Sequence, residues 1–234
     1  TVNVTDNTVA PVIATSTVNQ TSCNTLTPNG QASANVGGLV AGYKFRWFVG
    51  SDTTTFITQA ATVTNRAAGT YTVKAVDLAT GCFSTRQVTI TNNFVTPVVT
   101  AVVDQNLTVC NASNGQVSAN VAGGTNGFDF YWFTGNPAVT DSTASNFEGA
   151  VWTGRPVGSF TVIAVSKATR CVSAKSTVNV TNNTVPPVIA TSTVNQTSCN
   201  TLTPNGQASA NAGGLVAGYK FRWFVGSDTT TFIT

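Results

Sequence analysis

Apolar and polar positions alternate through most of the chain, at the period of two expected of half-buried strands. In residues 43–47, Tyr43, Phe45 and Trp47 share one face, while Lys44 and Arg46 take the other. The same pattern returns as Phe128, Phe130 and Trp132 against Asp129 and Tyr131. A second run sets Tyr71, Val73 and Ala75 against Thr70, Thr72 and Lys74, and recurs as Phe160, Val162 and Ala164. A third is Val88 with Ile90, matched by Val178 and Val180. Turn signals separate these runs at Asn29-Gly30, Gly37-Gly38, Gly50, Gly69 and Asn92-Asn93. No segment carries a helical period. The pattern predicts an all-β chain.

The runs also repeat at longer range. Residues 1–58 return at 177–234, a shift of 176, with three differences: Asp6/Asn182, Ala10/Pro186 and Val36/Ala212. A weaker copy lies halfway: Cys23 returns as Cys110 and Cys199, Trp47 as Trp132 and Trp223, and Cys82 as Cys171. The unit is about 88 residues in two alternating types, too long for most solenoid or propeller repeats and suited to one small sandwich each. The expected divisions are the last strand of a preceding repeat (1–8), a full repeat A (9–96), a full repeat B (97–184) and the first part of a further A (185–234). The fold expected is a tandem array of immunoglobulin-like β-sandwiches. In each, the tryptophan takes the third-strand position and anchors the core; Trp47, Trp132, Trp223, Tyr71 and Phe160 are the predicted core residues. Both junctions carry proline and lack glycine, which favours a semi-rigid array. Outward-facing rings able to stack on a sugar would come from Phe48, Phe133, Tyr131 or Trp152.

Composition narrows the functional classes. Only 8% of residues are charged, and the formal charge of +3 comes from dispersed residues. That removes the footprint of a nucleic-acid binder. No run of 18 apolar residues exists to form a membrane-spanning helix. Histidine is absent, so the commonest general base and metal ligand is missing. The acidic residues form no local pair common to every repeat, as a glycosidase or calcium loop would need. The expectation is a non-enzymatic chain without cofactor or metal.

Each full repeat has one early and one late cysteine, 59 residues apart from Cys23 to Cys82 and 61 apart from Cys110 to Cys171. On a scaffold of secreted character this spacing suggests bridges Cys23–Cys82 and Cys110–Cys171, with the partner of Cys199 falling after residue 234. The alternative pairs Cys82 with Cys110 across the junction.

Three stretches carry a family resemblance: Cys23 with Asn29-Gly30-Gln31-Ala32; Gly42-Tyr43-Lys44-Phe45-Arg46-Trp47; and Ala68-Gly69-Thr70-Tyr71-Thr72-Val73 through Asp77 to Gly81-Cys82. Together they resemble the SprB-type repeat of large surface adhesins of Bacteroidota, including gliding-motility adhesins. Repeat B departs at Ser166 and Arg170, where repeat A has Asp77 and Gly81. The resemblance implies type IX secretion, cell-surface display and a role as stalk or filament shaft in adhesion or gliding. The alternative is a glycan-binding module acting by avidity. Partners would be further copies along the array, copies packed laterally in a fibre, and surface glycans. Asp52-Thr53-Thr54, Asp141-Ser142-Thr143 and Asp228-Thr229-Thr230 resemble the O-glycosylation signal of Bacteroidota. Thr53, Ser142 and Thr229 are therefore candidate glycan sites; the competing reading is a polar turn opened by aspartate.

Overall fold

A computed structural model of the chain describes residues 1–138, 142–227, 229–230 and 233. The described residues form sixteen strands and one short 3-10 turn, with no α-helix.

The first sandwich contains β1 (Ile13–Val18), β2 (Gly30–Val36), β3 (Tyr43–Val49), β4 (Phe56–Thr58), β5 (Thr62–Arg66), β6 (Gly69–Asp77) and β7 (Phe83–Ile90). One sheet has the order β1-β2-β5 and the other β4-β3-β6-β7. All pairings are antiparallel. The chain crosses between sheets after β2, β4 and β5, giving an immunoglobulin-like sandwich. The second sandwich repeats this plan with β8 (Val99–Gln105), β9 (Gly115–Val121), β10 (Phe128–Thr134), β11 (Phe147–Glu148), β12 (Val151–Arg155), β13 (Gly158–Ser166) and β14 (Ser176–Val180). Its sheets are β12-β9-β8 and β11-β10-β13-β14.

The alternating residues do what their pattern predicts. Phe45 and Trp47 enter one core with Ile13, Ala32, Val63, Tyr71, Val73 and Ile90; Phe130, Trp132, Phe160 and Val162 enter the other. Trp47 and Trp132 are fully buried. Each indole N–H donates to a backbone carbonyl, Ala60 O at 3.0 Å and Gly149 O at 3.0 Å, so neither ring leaves a polar atom unpaired. Close sheet packing requires glycine at the start of β2 and β9. A Cβ on Gly30 would lie 2.5 Å from Arg66 O and 2.7 Å from Ile90 Cγ2, and one on Gly115 would meet Arg155 O at 2.6 Å.

The largest differences between the two cores are at two aligned positions. At Val63 the second sandwich has Trp152, whose ring stacks on Phe147 at 5.4 Å and meets Phe160 edge-on at 5.4 Å. At Phe160 the first has Tyr71, whose hydroxyl donates to Ala67 O at 2.8 Å. A tyrosine early in the sixth strand bonded back to upstream backbone is the tyrosine corner of such sandwiches. Burial raises the Tyr71 pKa, opposed by the positive charge of Arg66.

A separate unit comprises residues 108–112 and 182–234. Its regular structure is the hairpin β15 (Ile189–Val194) with β16 (Gln207–Ala212). Trp223 is half-buried there and lies outside any strand.

Candidate functional site

The one disulfide among the described residues joins Cys23 to Cys171, with a Cα–Cα separation of 4.9 Å, and thereby links the two sandwiches. Cys82, Cys110 and Cys199 are free thiols. The expected bridges Cys23–Cys82 and Cys110–Cys171 are therefore corrected, and so is the alternative Cys82–Cys110.

The reason lies in strand register. At one end of the first sandwich Gly69 faces Ile90 and Gly30 faces Arg66; at the other Tyr43 faces Asp77 and Val76 faces Phe83. Cys23 follows Gln20, which is tied to Thr91 and Asn93 at the first end. Cys82 closes the β6–β7 turn at the second. The length of β6 separates them, about 25 Å at ~3.3 Å per residue. A disulfide tolerates about 7 Å between Cα atoms. Counting residues between cysteines could not reveal this, because the late cysteine lies in a turn and not within a strand.

The geometry instead brings the early loop of one repeat onto the late turn of the next. The Cys23 loop is set by asparagine: Asn29 Oδ1 accepts from Thr21 N at 2.9 Å and Ser22 N at 3.1 Å, and Asn24 Oδ1 accepts from Leu26 N at 2.9 Å. The Cys171 turn is set by backbone: Ser166 N donates to Cys171 O at 2.9 Å and Arg170 N to Ser166 O at 2.8 Å. Arg170 holds a left-handed φ of 57°, where repeat A uses Gly81 at 76°. Next to the disulfide, Cys23 N donates to Thr169 O at 2.8 Å. The peptide linker runs through the same junction and is pinned where Asn93 N donates to Gln20 O at 2.7 Å; Pro97 beyond it is buried. The two sandwiches are thus joined twice, by the linker and by the bridge. No sequence signal separated this pairing from the others, apart from the recurrence of both cysteines at every junction.

The remaining candidate residues sort by burial. Phe48, Phe133 and Trp152 are buried and Tyr131 is half-buried, so these rings do not form an open stacking platform. Exposed rings lie elsewhere, at Phe56 and Phe83 on the outer face of the first sandwich, where Arg46 sits 4.9 Å from the Phe56 centroid and Lys74 3.8 Å from that of Phe83. Thr53 is exposed in a turn where Asp52 Oδ1 accepts from Thr54 N at 3.0 Å and Thr54 Oγ1 at 2.7 Å. Those bonds, the backbone one first, lower the Asp52 pKa. Ser142 begins a 3-10 turn and is half-buried; Thr229 is exposed; Asp141 and Asp228 lie outside the described residues.

A shallow cleft of about 770 Å³ at the junction is lined by residues including Leu26, Pro28, Asn29, Asn65 and Arg170, without a carboxylate or free thiol. Among the described residues no group of three or more His, Cys, Asp or Glu is placed to hold a metal ion. Among the described residues no helix is long and apolar enough to cross a membrane.

No family model matches the chain, and no curated protein matches it. Among solved structures it is similar to the three N-terminal domains of the bacteriophage RB49 highly immunogenic outer capsid protein, at 15% identity and a TM-score of 0.39, over 89% of this chain and 71% of that one. It is also similar to the Ig1–Ig3 ectodomain of mouse nectin-like molecule 4, at 14% identity and a TM-score of 0.27, over 76% and 65%. A third likeness is to titin domains z1z2 in complex with telethonin, at 13% identity and a TM-score of 0.27, over 76% and 91%. The fold assignment rests on the strand order given above.

Proposed function

We propose that the chain is a structural segment of a secreted, cell-surface array, acting as stalk or filament shaft in adhesion or gliding. The observation that carries this reading is the Cys23–Cys171 bridge between successive sandwiches. An inter-domain disulfide spends its stabilisation on the junction, which a catalytic or signalling module does not need and a tension-bearing shaft does. It also belongs to an oxidising, extracellular setting. The repeat period of about 88 residues, the boundaries near 96 and 184, and the resemblance to SprB-type repeats support the same reading. Type IX export and glycosylation at Thr53, Ser142 and Thr229 are parts of this proposal.

The glycan-binding alternative draws on Phe56 and Phe83, both about half exposed. Repeat B has Val172 in place of Phe83, so a shared binding face along the array is not supported. Electron microscopy of the native material tests the shaft reading: thin threads or bundled filaments with an even domain spacing are expected, and compact isolated particles would refute it. Intact mass tests the glycan part, since a mass equal to the bare sequence removes it.

A further inference from the structure

Two of the three free thiols, Cys82 and Cys199, sit in the same two kinds of seat that the bonded pair occupies. Cys82 closes a turn built like that of Cys171. Asp77 N donates to Cys82 O at 2.8 Å, Gly81 N to Asp77 O at 2.8 Å and Leu78 N to Gly42 O at 2.9 Å. The corresponding bonds around Cys171 are Ser166 N to Cys171 O at 2.9 Å, Arg170 N to Ser166 O at 2.8 Å and Lys167 N to Gly127 O at 2.9 Å. Cys199 lies in a loop that copies that of Cys23. Asn205 Oδ1 accepts from Thr197 N at 3.0 Å and Ser198 N at 3.1 Å, and Asn200 Oδ1 accepts from Leu202 N at 2.9 Å. These match the Asn29 and Asn24 bonds that set the Cys23 loop. Both halves of the junction are therefore formed where no disulfide is present.

The spacing agrees. The bonded cysteines are 148 residues apart. Cys82 to Cys110 and Cys171 to Cys199 are each 28 apart, so the two kinds of junction have equal reach. Shifting Cys82 by the 176-residue period gives position 258, which is also 148 beyond Cys110. Cys110 occupies a loop two residues shorter than that of Cys23, counted to Gly115 and Gly30.

We infer that Cys82, Cys110 and Cys199 are half-bridges, each of which forms a disulfide with the cysteine of opposite kind on an adjoining repeat, so that every repeat is covalently stapled to the next. This rests on the array reading. It extends the staple to the B-to-A junctions, which the structure does not show bonded. Each bond joins an early-loop thiol to a late-turn thiol, the attacking one reacting as its thiolate after losing its proton. Two protons and two electrons leave per bond, the electrons reducing the disulfide of a dithiol–disulfide oxidant to its dithiol. Cys82 does not pair with Cys110 of the same two repeats. Its turn is at the end of the first sandwich away from the junction, and Leu107 and Ser113, which flank the Cys110 segment, are at the end of the second sandwich away from its Cys171 turn.

The test lengthens this chain by one period, appending residues 59–234 after Thr234, oxidises it with glutathione disulfide and counts alkylatable thiols by mass. The longer chain has nine cysteines, the five here and a second copy of the last four. Stapling at every junction leaves three thiols. Five thiols would mean that only A-to-B junctions bond, and one thiol would mean that Cys82 pairs with Cys110 within a repeat pair or that each repeat closes its own bridge; any of these results overturns the inference. As a second readout, Cys82→Ala in the first copy must leave the cross-link between the Cys110 and late-A peptides in place. The array reading is judged separately, by micrographs of the native material.

Discussion

Residues 9–58 and 185–234 differ at two positions, Ala10/Pro186 and Val36/Ala212, yet they fold to different depths. Both form the first hairpin in the same register: Ile13 faces Val36 and Val18 faces Gln31 in one, Ile189 faces Ala212 and Val194 faces Gln207 in the other. The asparagine-capped loop is also common to both. The aromatic strand is not. Residues 43–49 are β3, held along their length by β6, and Trp47 is fully buried. Residues 219–225 form no regular strand, and Trp223 is half-buried. Ile13 is 3% exposed and Ile189 is 62% exposed. The hairpin is thus encoded locally, by turn chemistry and β-branched residues. The aromatic strand requires the non-local partner supplied by Tyr71, Val73 and Ala75.

The largest effect should come from supplying that partner. Appending residues 59–96 after Thr234 is expected to bury Trp223 and shift its fluorescence to the blue; an unchanged spectrum would show that the comparison misidentifies what is missing. Next is the bridge. Cys23→Ala should cost about 5 kcal/mol in joint unfolding of the two sandwiches, on the chain-entropy account for a 148-residue span. Cys199→Ala, at the matching site, should leave urea unfolding of this chain unchanged. Gly30→Ala should destabilise by about 1–3 kcal/mol, because the added methyl meets Arg66 O and Ile90. Its counterpart Gly206→Ala should stay within about 0.5 kcal/mol, since the nearest atoms there are 3.4 Å away on Gln196. Tyr71→Phe should cost about 1 kcal/mol, from the lost bond to Ala67 O. Thermal melts read both of the last two.

The same contrast marks what the sequence could reveal. Alternation placed Phe45, Trp47, Val73 and Ala75 correctly, because a period of two is itself the geometry of a strand facing one core. It misjudged Phe48, Phe133 and Trp152. The first two bury on the outer faces of their sheets, and the third takes the inward position that Val63 holds in the first sandwich, stacked on Phe147 and edge-on to Phe160. The burial of Phe48 and Phe133 is not periodic; that of Trp152 is, since it follows exposed Val151 on its strand. The cysteine pairing was illegible for a related reason. Spacing along the chain records how far apart two residues are in sequence, but not which end of a sandwich each occupies. The tyrosine corner was legible in principle, since Tyr71 is the first inward residue after Ala68-Gly69.

The central claim is that successive sandwiches are stapled through Cys23 and Cys171. A tryptic map of the unreduced 234-residue chain tests it most directly. The account predicts that the peptide Thr1–Lys44 is joined to Cys171–Lys175. Cys171–Lys175 joined to Gln87–Lys167, or Thr1–Lys44 joined to Ala75–Arg86, would return the bridges to the interior of each repeat and contradict it.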